Sequence, residues 1–417
     1  MRILNLTAAT EARLMKLREG QDRAAYRVAA RIVHDVIRRG DAALDAWSLK
    51  LDGVNLRQSG LWVSRREMVA ARRRVKPEFL RAVAHAAANV RRVAEKQKPR
   101  EWSLTVEPGV QVAQLIRPVD SIGCYIPGGH FALFSTLVMT VVPAQVAGVH
   151  RIVAVCPGAN EELFAAADLL GVTHLARIGG AQAIAALAYG TKRISPVEKI
   201  FGAGNRYVTA AKQIVSSDCA IDLPAGPTEA IVLAQRGNSA WIAADLLAQA
   251  EHAPDAGSYL VTSSPQLARN VQQQVVAQLN LLPPDNPAHA SCQKTGAILL
   301  THTWDEAVEF VNRFAPEHLS LPGGSSSLLK RIRSSGTIFL GPLSAQPFGD
   351  YASGSNHVLP TGGWARRRGG LSISDFVKHI SVQMIDRSGY RRLADDVQTL
   401  ARAEGLLAHA TAVEVRK

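Results

Sequence analysis

The chain predicts an α/β fold built on parallel sheets, on three observations. Short β-branched runs alternate with alanine-rich stretches of helical length, and glycine- or proline-containing turns separate them. The strands are also too many for one comfortably twisted sheet. Two nucleotide-fold-like units, doubly wound with helices on both faces, are therefore expected. A length of 417 residues fits this, being more than a single hydrophobic core accommodates.

Each element has its own justification. Residues 1–20 read as a small N-terminal helical segment, and the opening third is helical throughout. Its clearest case is Arg81 to Lys96, where Val83, Ala86, Ala87, Val90 and Val93 recur at helical spacing. From Val110 the pattern turns to strands. RIVAVC leads into EELFAAADLLG, HLARI into AQAIAALAYG, and KIF into RYVTAAKQIVSS. AIVLA then leads into SAWIAADLLAQAEH, SYLVT into QLARNVQQQVVAQL, and GAILLT into WDEAVEFVNRF, with GTIFLG closing the series. Boundaries near Gly123 and Thr228 give a discontinuous α/β unit of residues 21–123 and 229–370, with residues 124–228 as a second, Rossmann-like unit. The tail, residues 371–417, is expected to be a helical arm.

Composition excludes several classes. Hydrophobic residues at 47% and charged residues at 20% argue against disorder, and the apolar runs are too broken to span a bilayer. MRILNLTAATEARL lacks the pattern of a secretory leader, so a cytoplasmic protein is expected. The net charge of +13 is dispersed over short clusters such as Arg72–Arg74, Lys330–Arg333 and Arg366–Arg368. No nucleic-acid-binding module accompanies it, so a solvated basic surface is expected and nucleic acid is not. Cys124, Cys156, Cys219 and Cys292 have neither framework nor metal-site spacing, which predicts free thiols.

Chemistry concentrates in a few places. Gly349 to Thr361, GDYASGSNHVLPT, crowds an acid, a histidine, glycines and small polar side chains into one loop. Within it, His357 is expected to organise the loop by hydrogen bonds. Gln249 and His252 stand three residues apart in an expected helix, on one face, which suits either a shared metal or a polar helix surface. Glu251, turned aside from that pair, is expected to play a supporting part. Pro316 fixes the backbone before Glu317 and His318, an adjacent carboxylate and imidazole that could face one pocket. No GxGxxG fingerprint follows any strand, so the residues alone do not reveal a dinucleotide.

Four spaced motifs, LLAQAEH (246–252), APEHL (315–319), the 349–361 loop and AEGLLAH (403–409), together resemble the histidinol dehydrogenase family over nearly the whole chain. The resemblance implies two incomplete Rossmann-like domains and an intertwined homodimer in which the arm reaches the partner. It implies a zinc ion held by Gln249, His252, Asp350 and His409, the last coming from the other subunit. Glu317 and His318 would be the catalytic couple, the histidine taking the alcohol proton and the glutamate activating water. Tyr125, Gln182 and Asn205 match NAD-contacting positions, beside glycines at 128, 129, 179, 180, 202 and 204. Thr228 and Glu404 match substrate contacts, in company with Gln249, His252, His318, Asp350 and His409.

The implied reaction is four-electron oxidation of L-histidinol to L-histidine through histidinaldehyde, with two NAD, ending histidine biosynthesis. The chain departs from the family pattern at Ala203, Thr228, Phe134 and Gln145, and at residues 347 and 348; none is a proposed metal ligand or member of the catalytic couple. Three alternatives stand beside this one: a related zinc- and NAD-dependent dehydrogenase of another hydroxyl compound, such as a sulfonated diol, a catalytically silent binding protein on the same fold, and a metallohydrolase using Glu317 on zinc-bound water, which leaves Tyr125, Gln182 and Asn205 without a role.

Overall fold

Two parallel sheets and one antiparallel sheet organise the computed structural model, which describes residues 1–18, 22–128, 133–158, 160–223, 226–324 and 326–417. In the six-stranded sheet the order is Arg2–Asn5, Ala297–Leu300, Gly257–Thr262, Glu229–Leu233, His318–Leu321, Thr337–Leu340, all parallel. Every residue of Glu229–Leu233 and Gly257–Thr262 is buried, as strands covered on both faces require. One face packs on helices Ala8–Arg18 and Trp304–Phe314, the other on Ser239–Ala250, Pro265–Leu279 and Ala288–Lys294.

The five-stranded sheet runs His174–Ala176, Arg151–Val155, Ser121–Tyr125, Lys199–Phe201, Ala220–Ile221, again all parallel. Here the chain order reverses between Ser121–Tyr125 and Lys199–Phe201. Such a switch point opens a crevice at the carboxyl ends of the strands.

Three expectations need correction. The N-terminal segment is not purely helical: Arg2–Asn5 pairs with Ala297–Leu300 and forms the outer strand of the six-stranded sheet. Four residues are too short to display a period. The helices between residues 23 and 97 were grouped with residues 229–370, yet they pack on the five-stranded sheet. Arg23–Arg39 lies against Gly180–Tyr189 and Arg206–Val215, Arg65–Arg74 against Glu161–Leu169, and Pro77–Gln97 against Phe134–Ala147. Helix amphipathicity tells which face is buried, not which sheet buries it.

The tail, finally, begins as a strand. Val377–Ile385 pairs antiparallel along the whole of Val110–Pro118, which also pairs Trp102–Glu107. Helices Arg387–Ala403 and Leu407–Glu414 follow. The other strand and helix expectations between residues 151 and 341 are met, while His318–Leu321 is a further strand the sequence did not announce. Gly129 lies outside the described residues.

Candidate active site

The N-terminal ends of two neighbouring strands of the six-stranded sheet carry the first group of residues. Thr228 precedes Glu229–Leu233, and Glu317 precedes His318–Leu321. The turn that delivers Glu317 is unusual. Ala315 closes Trp304–Phe314 with φ 51°, the only non-glycine residue with positive φ among those described. The Glu317 carbonyl then accepts from the Thr337 amide at 2.9 Å and the Pro316 carbonyl from the Gly336 amide at 2.9 Å, so the start of the neighbouring strand Thr337–Leu340 fixes the backbone.

Glu317 is buried, and one carboxylate oxygen, Oε2, accepts from the Thr228 hydroxyl at 2.6 Å and the Glu229 amide at 3.0 Å. Burial pushes its carboxyl up, against the opposing pull of His318, Thr228 and the Glu229 amide. The His318 ring is buried between two carboxylates. Its Nδ1 lies 3.8 Å from Glu317 Oε2 and its Nε2 lies 3.7 Å from Asp350 Oδ1. Both separations exceed hydrogen-bond reach, and among the described residues neither ring nitrogen has a hydrogen-bond partner. Burial disfavours the imidazolium, but the Glu317 and Asp350 charges outweigh it and raise the pKa.

Gln249 links this couple to the second group. Fully buried on the last turn of Ser239–Ala250, it donates to Thr228 Oγ1 at 3.0 Å and accepts from Gln346 Nε2 at 2.8 Å. Gln346 opens the short helix Gln346–Tyr351 that carries Asp350. His252 was expected on the same helix as Gln249 but stands just past the C-cap, Glu251, where the chain has left the helix. Its Nδ1 meets the Ala248 carbonyl at 2.9 Å, and that bond makes Nδ1 the protonated nitrogen and leaves Nε2 with its lone pair. Burial works against the Asp350 carboxylate, yet His318, His357 and His252 hold it below the ordinary range.

His357 organises its loop as expected. It meets the Asp350 carbonyl at 2.8 Å through Nδ1 and Thr136 Oγ1 at 3.3 Å through Nε2. Among the described residues, no three His, Cys, Asp or Glu side chains of the chain are arranged so as to hold a metal ion by themselves. What the chain gathers is one amide, one imidazole with a free nitrogen and one carboxylate. These donors fit a divalent zinc-like ion that takes another ligand from elsewhere. Glu404 and His409 are exposed on the arm, and among the described residues no hydrogen bond or ion pair carries their side chains to this site.

A third group borders the switch-point crevice of the five-stranded sheet. Tyr125 ends the central strand, and its hydroxyl accepts from the Gly180 amide at 3.1 Å. Gly202, at φ 110°, lies so close to Tyr125 that a Cβ would collide with the Tyr125 carbonyl. Asn205 caps Arg206–Val215, its Oδ1 accepting from the Tyr207 amide at 3.0 Å and the Val208 amide at 3.1 Å. The buried Gln182 donates to Asp52 Oδ2 at 2.9 Å. Burial pushes the Asp52 carboxyl up to about 6, in spite of the Gly179 amide and Gln182.

Beneath the same turn the buried Lys212 ammonium pairs with Asp222 and donates to the Gly202 carbonyl at 2.9 Å, while the Gly202 amide donates to Asp222 Oδ2 at 2.7 Å. Asp52, Lys212, Asp222 and Gln346 are absent from the sequence expectations. Asp52 and Gln346 act through partners about a hundred residues away, Lys212 and Asp222 through each other across a turn, and only Gln346, beside the loop, had a local signal. All four cysteines are free and buried, and burial pushes the Cys124 thiol up to about 12, so none is a ready nucleophile.

The chain matches the family model described as histidinol dehydrogenase over residues 16–417. It is 46% identical over 392 residues to the histidinol dehydrogenase of Geobacillus kaustophilus, covering 92% of each chain. To that of Methanothermobacter thermautotrophicus it is 45% identical over 378 residues, covering 89% of this chain and 88% of the relative. The crystal structure of histidinol dehydrogenase from Elizabethkingia anophelis superposes with a TM-score of 0.93 at 36% identity, covering 100% of this chain and 98% of the other.

Proposed function

The chain belongs to the histidinol dehydrogenase family, and from that premise we propose that it oxidises L-histidinol to L-histidine in two NAD-linked steps at the Glu317–His318 couple. One observation carries the assignment: a buried imidazole with both nitrogens unpartnered, set between two carboxylates. A structural histidine would have satisfied those nitrogens; one that must accept a proton from a substrate and pass it on keeps them available.

Gln249, His252 and Asp350 would hold zinc together with His409 of a second copy, and the ion, when bound, would supply a template that fixes the substrate's imidazole and amine. NAD would lie at the switch-point crevice against Tyr125, Gln182 and Asn205, where it serves as hydride acceptor. The chain's own residues do the proton work. His318 takes the hydroxyl proton as the alcohol is oxidised. Glu317, with a raised pKa and one oxygen anchored by Thr228 and Glu229, takes the proton of the water that adds to the aldehyde. Thr228, its hydroxyl engaged with both Glu317 and Gln249, sets the distance between base and ligand and offers substrate its remaining lone pair.

The two-subunit site has further support. Glu404 and His409 are exposed, and so are Trp102, Leu104, Val106, Ile380 and Met384 on the antiparallel sheet and Leu400 and Leu407 on the arm. Apolar side chains gathered on adjoining elements suit burial against a second copy. No helix among the described residues is long and apolar enough to cross a membrane, and a cytoplasmic homodimer is the setting we propose.

The test is stoichiometry. With zinc-loaded protein and excess NAD, each histidine formed should accompany two NADH, and a chelator should abolish both. One NADH per product, or turnover confined to other alcohols, would discard the substrate and favour the related dehydrogenase.

A further inference from the structure

The helix Ala8–Arg18 ends in a side chain that reaches the catalytic turn from behind. Arg18 and Glu229 form a buried ion pair, with side-chain exposures of 7% and 3%. Arg18 Nε donates to Glu229 Oε2 at 2.6 Å, and Nη2 donates to Oε1 to complete a bidentate contact. Nη1 donates to the Phe314 carbonyl at 2.6 Å and Nη2 to the Ala315 carbonyl at 3.4 Å. The guanidinium also lies over the Phe314 ring, its carbon 3.6 Å from the centroid. One planar cation thus clamps both the strand that starts at Glu229 and the left-handed turn that delivers Glu317.

We propose that Arg18 and Glu229 are a positioning pair for the water-activating carboxylate: together they hold Glu317 where it can take a proton from water adding to the aldehyde. Ala315 sits in a left-handed conformation that L-residues disfavour, so something outside the turn must restrain it. Arg18 does so through the two carbonyls that precede Pro316. The Glu229 backbone amide is itself a donor to Glu317. A shift of Glu229 therefore moves the carboxylate directly. Arg18 is also the counter-charge for the buried Glu229 carboxylate, on which the Glu317 charge bears. A buried ion pair kept for stability alone is a poor device, since apolar replacements often do as well. Its place between the N-terminal helix, the strained turn and the catalytic amide donor gives it a reason to be there.

The inference rests on the roles proposed above for Glu317 and His318, and the experiment separates the two. Wild type, Arg18→Met, Arg18→Lys and the double variant Arg18→Met/Glu229→Gln are assayed on L-histidinol and, separately, on histidinaldehyde, with thermal melting of each. Arg18→Met should lower kcat for histidinaldehyde by about 10- to 100-fold, with KM little changed and the alcohol step much less affected. Arg18→Lys, which keeps charge without the fork, should fall between, and it carries the test alone if Arg18→Met does not fold. The double variant, free of the orphaned carboxylate, should recover part of the loss. Equal slowing of both half-reactions, in step with the fall in melting temperature, would overturn the positioning role. Wild-type protein inactive on both substrates would instead overturn the reading of the site and the pair's role with it.

Discussion

His318 and Asp52 illustrate two ways in which burial sets chemistry one residue at a time. His318 keeps its nitrogens unpaired between charges, while Asp52 is a carboxylate that burial pushes toward neutrality. The sign of the second effect is definite. A carboxyl whose folded pKa is about 6 binds its proton more tightly than in the unfolded chain, so its contribution to stability is full below the ordinary aspartate pKa and is lost as pH rises through 6. Stability of the wild type relative to Asp52→Asn should therefore decline between about pH 4 and pH 6 and level off above, a trend that urea unfolding at stepped pH would check. At this scale the sequence was most informative where motifs are contiguous: Glu317 with His318, and Gln249 with His252. It was silent on Arg18 and Asp52, whose roles exist only through partners brought from far along the chain.

Elements tell a similar story with different causes. Strands that end in turns and feed helices announced themselves between residues 151 and 341 because their periodicity changes sharply at each boundary. Val377–Ile385 was legible in principle, since Ile380, Val382 and Met384 alternate with His379, Ser381 and Gln383. A tail expected to be helical obscured it. Arg2–Asn5 was not legible, because four residues carry no period and only the neighbouring Ala297–Leu300 makes them a strand. Asn205 has two jobs at this scale, as helix cap and as proposed NAD contact, and substitution separates them. Asn205→Ala should destabilise the protein by about 1 kcal/mol through loss of the cap. Asn205→Asp should keep that stability, because a carboxylate also caps, yet weaken NAD. Melting temperatures together with the KM for NAD would distinguish the two effects.

For the whole molecule, one sheet carries the proposed proton chemistry at the N-terminal ends of its strands, and the other offers a crevice at the carboxyl ends of its strands. The loop from Gly349 to Thr361 ties them together: Asn356 donates to the Met139 carbonyl at 2.7 Å, and His357 reaches Thr136. Sequence motifs identified this loop but not its bridging function, which depends on helix Phe134–Ala147 lying against it. Glu404 and His409 are exposed on the arm, with no side-chain hydrogen bond or ion pair to the site among the described residues, so the account requires a second copy to finish each site. Mixing tests this most directly. His252→Ala and His409→Ala homodimers, each inactive, are co-refolded with zinc and assayed for NADH formation from L-histidinol. If every site draws His252 from one subunit and His409 from the other, half the dimers are mixed and each regains one intact site, so activity returns to about a quarter of wild type. Activity that stays at the level of the separate variants would contradict a site shared between subunits.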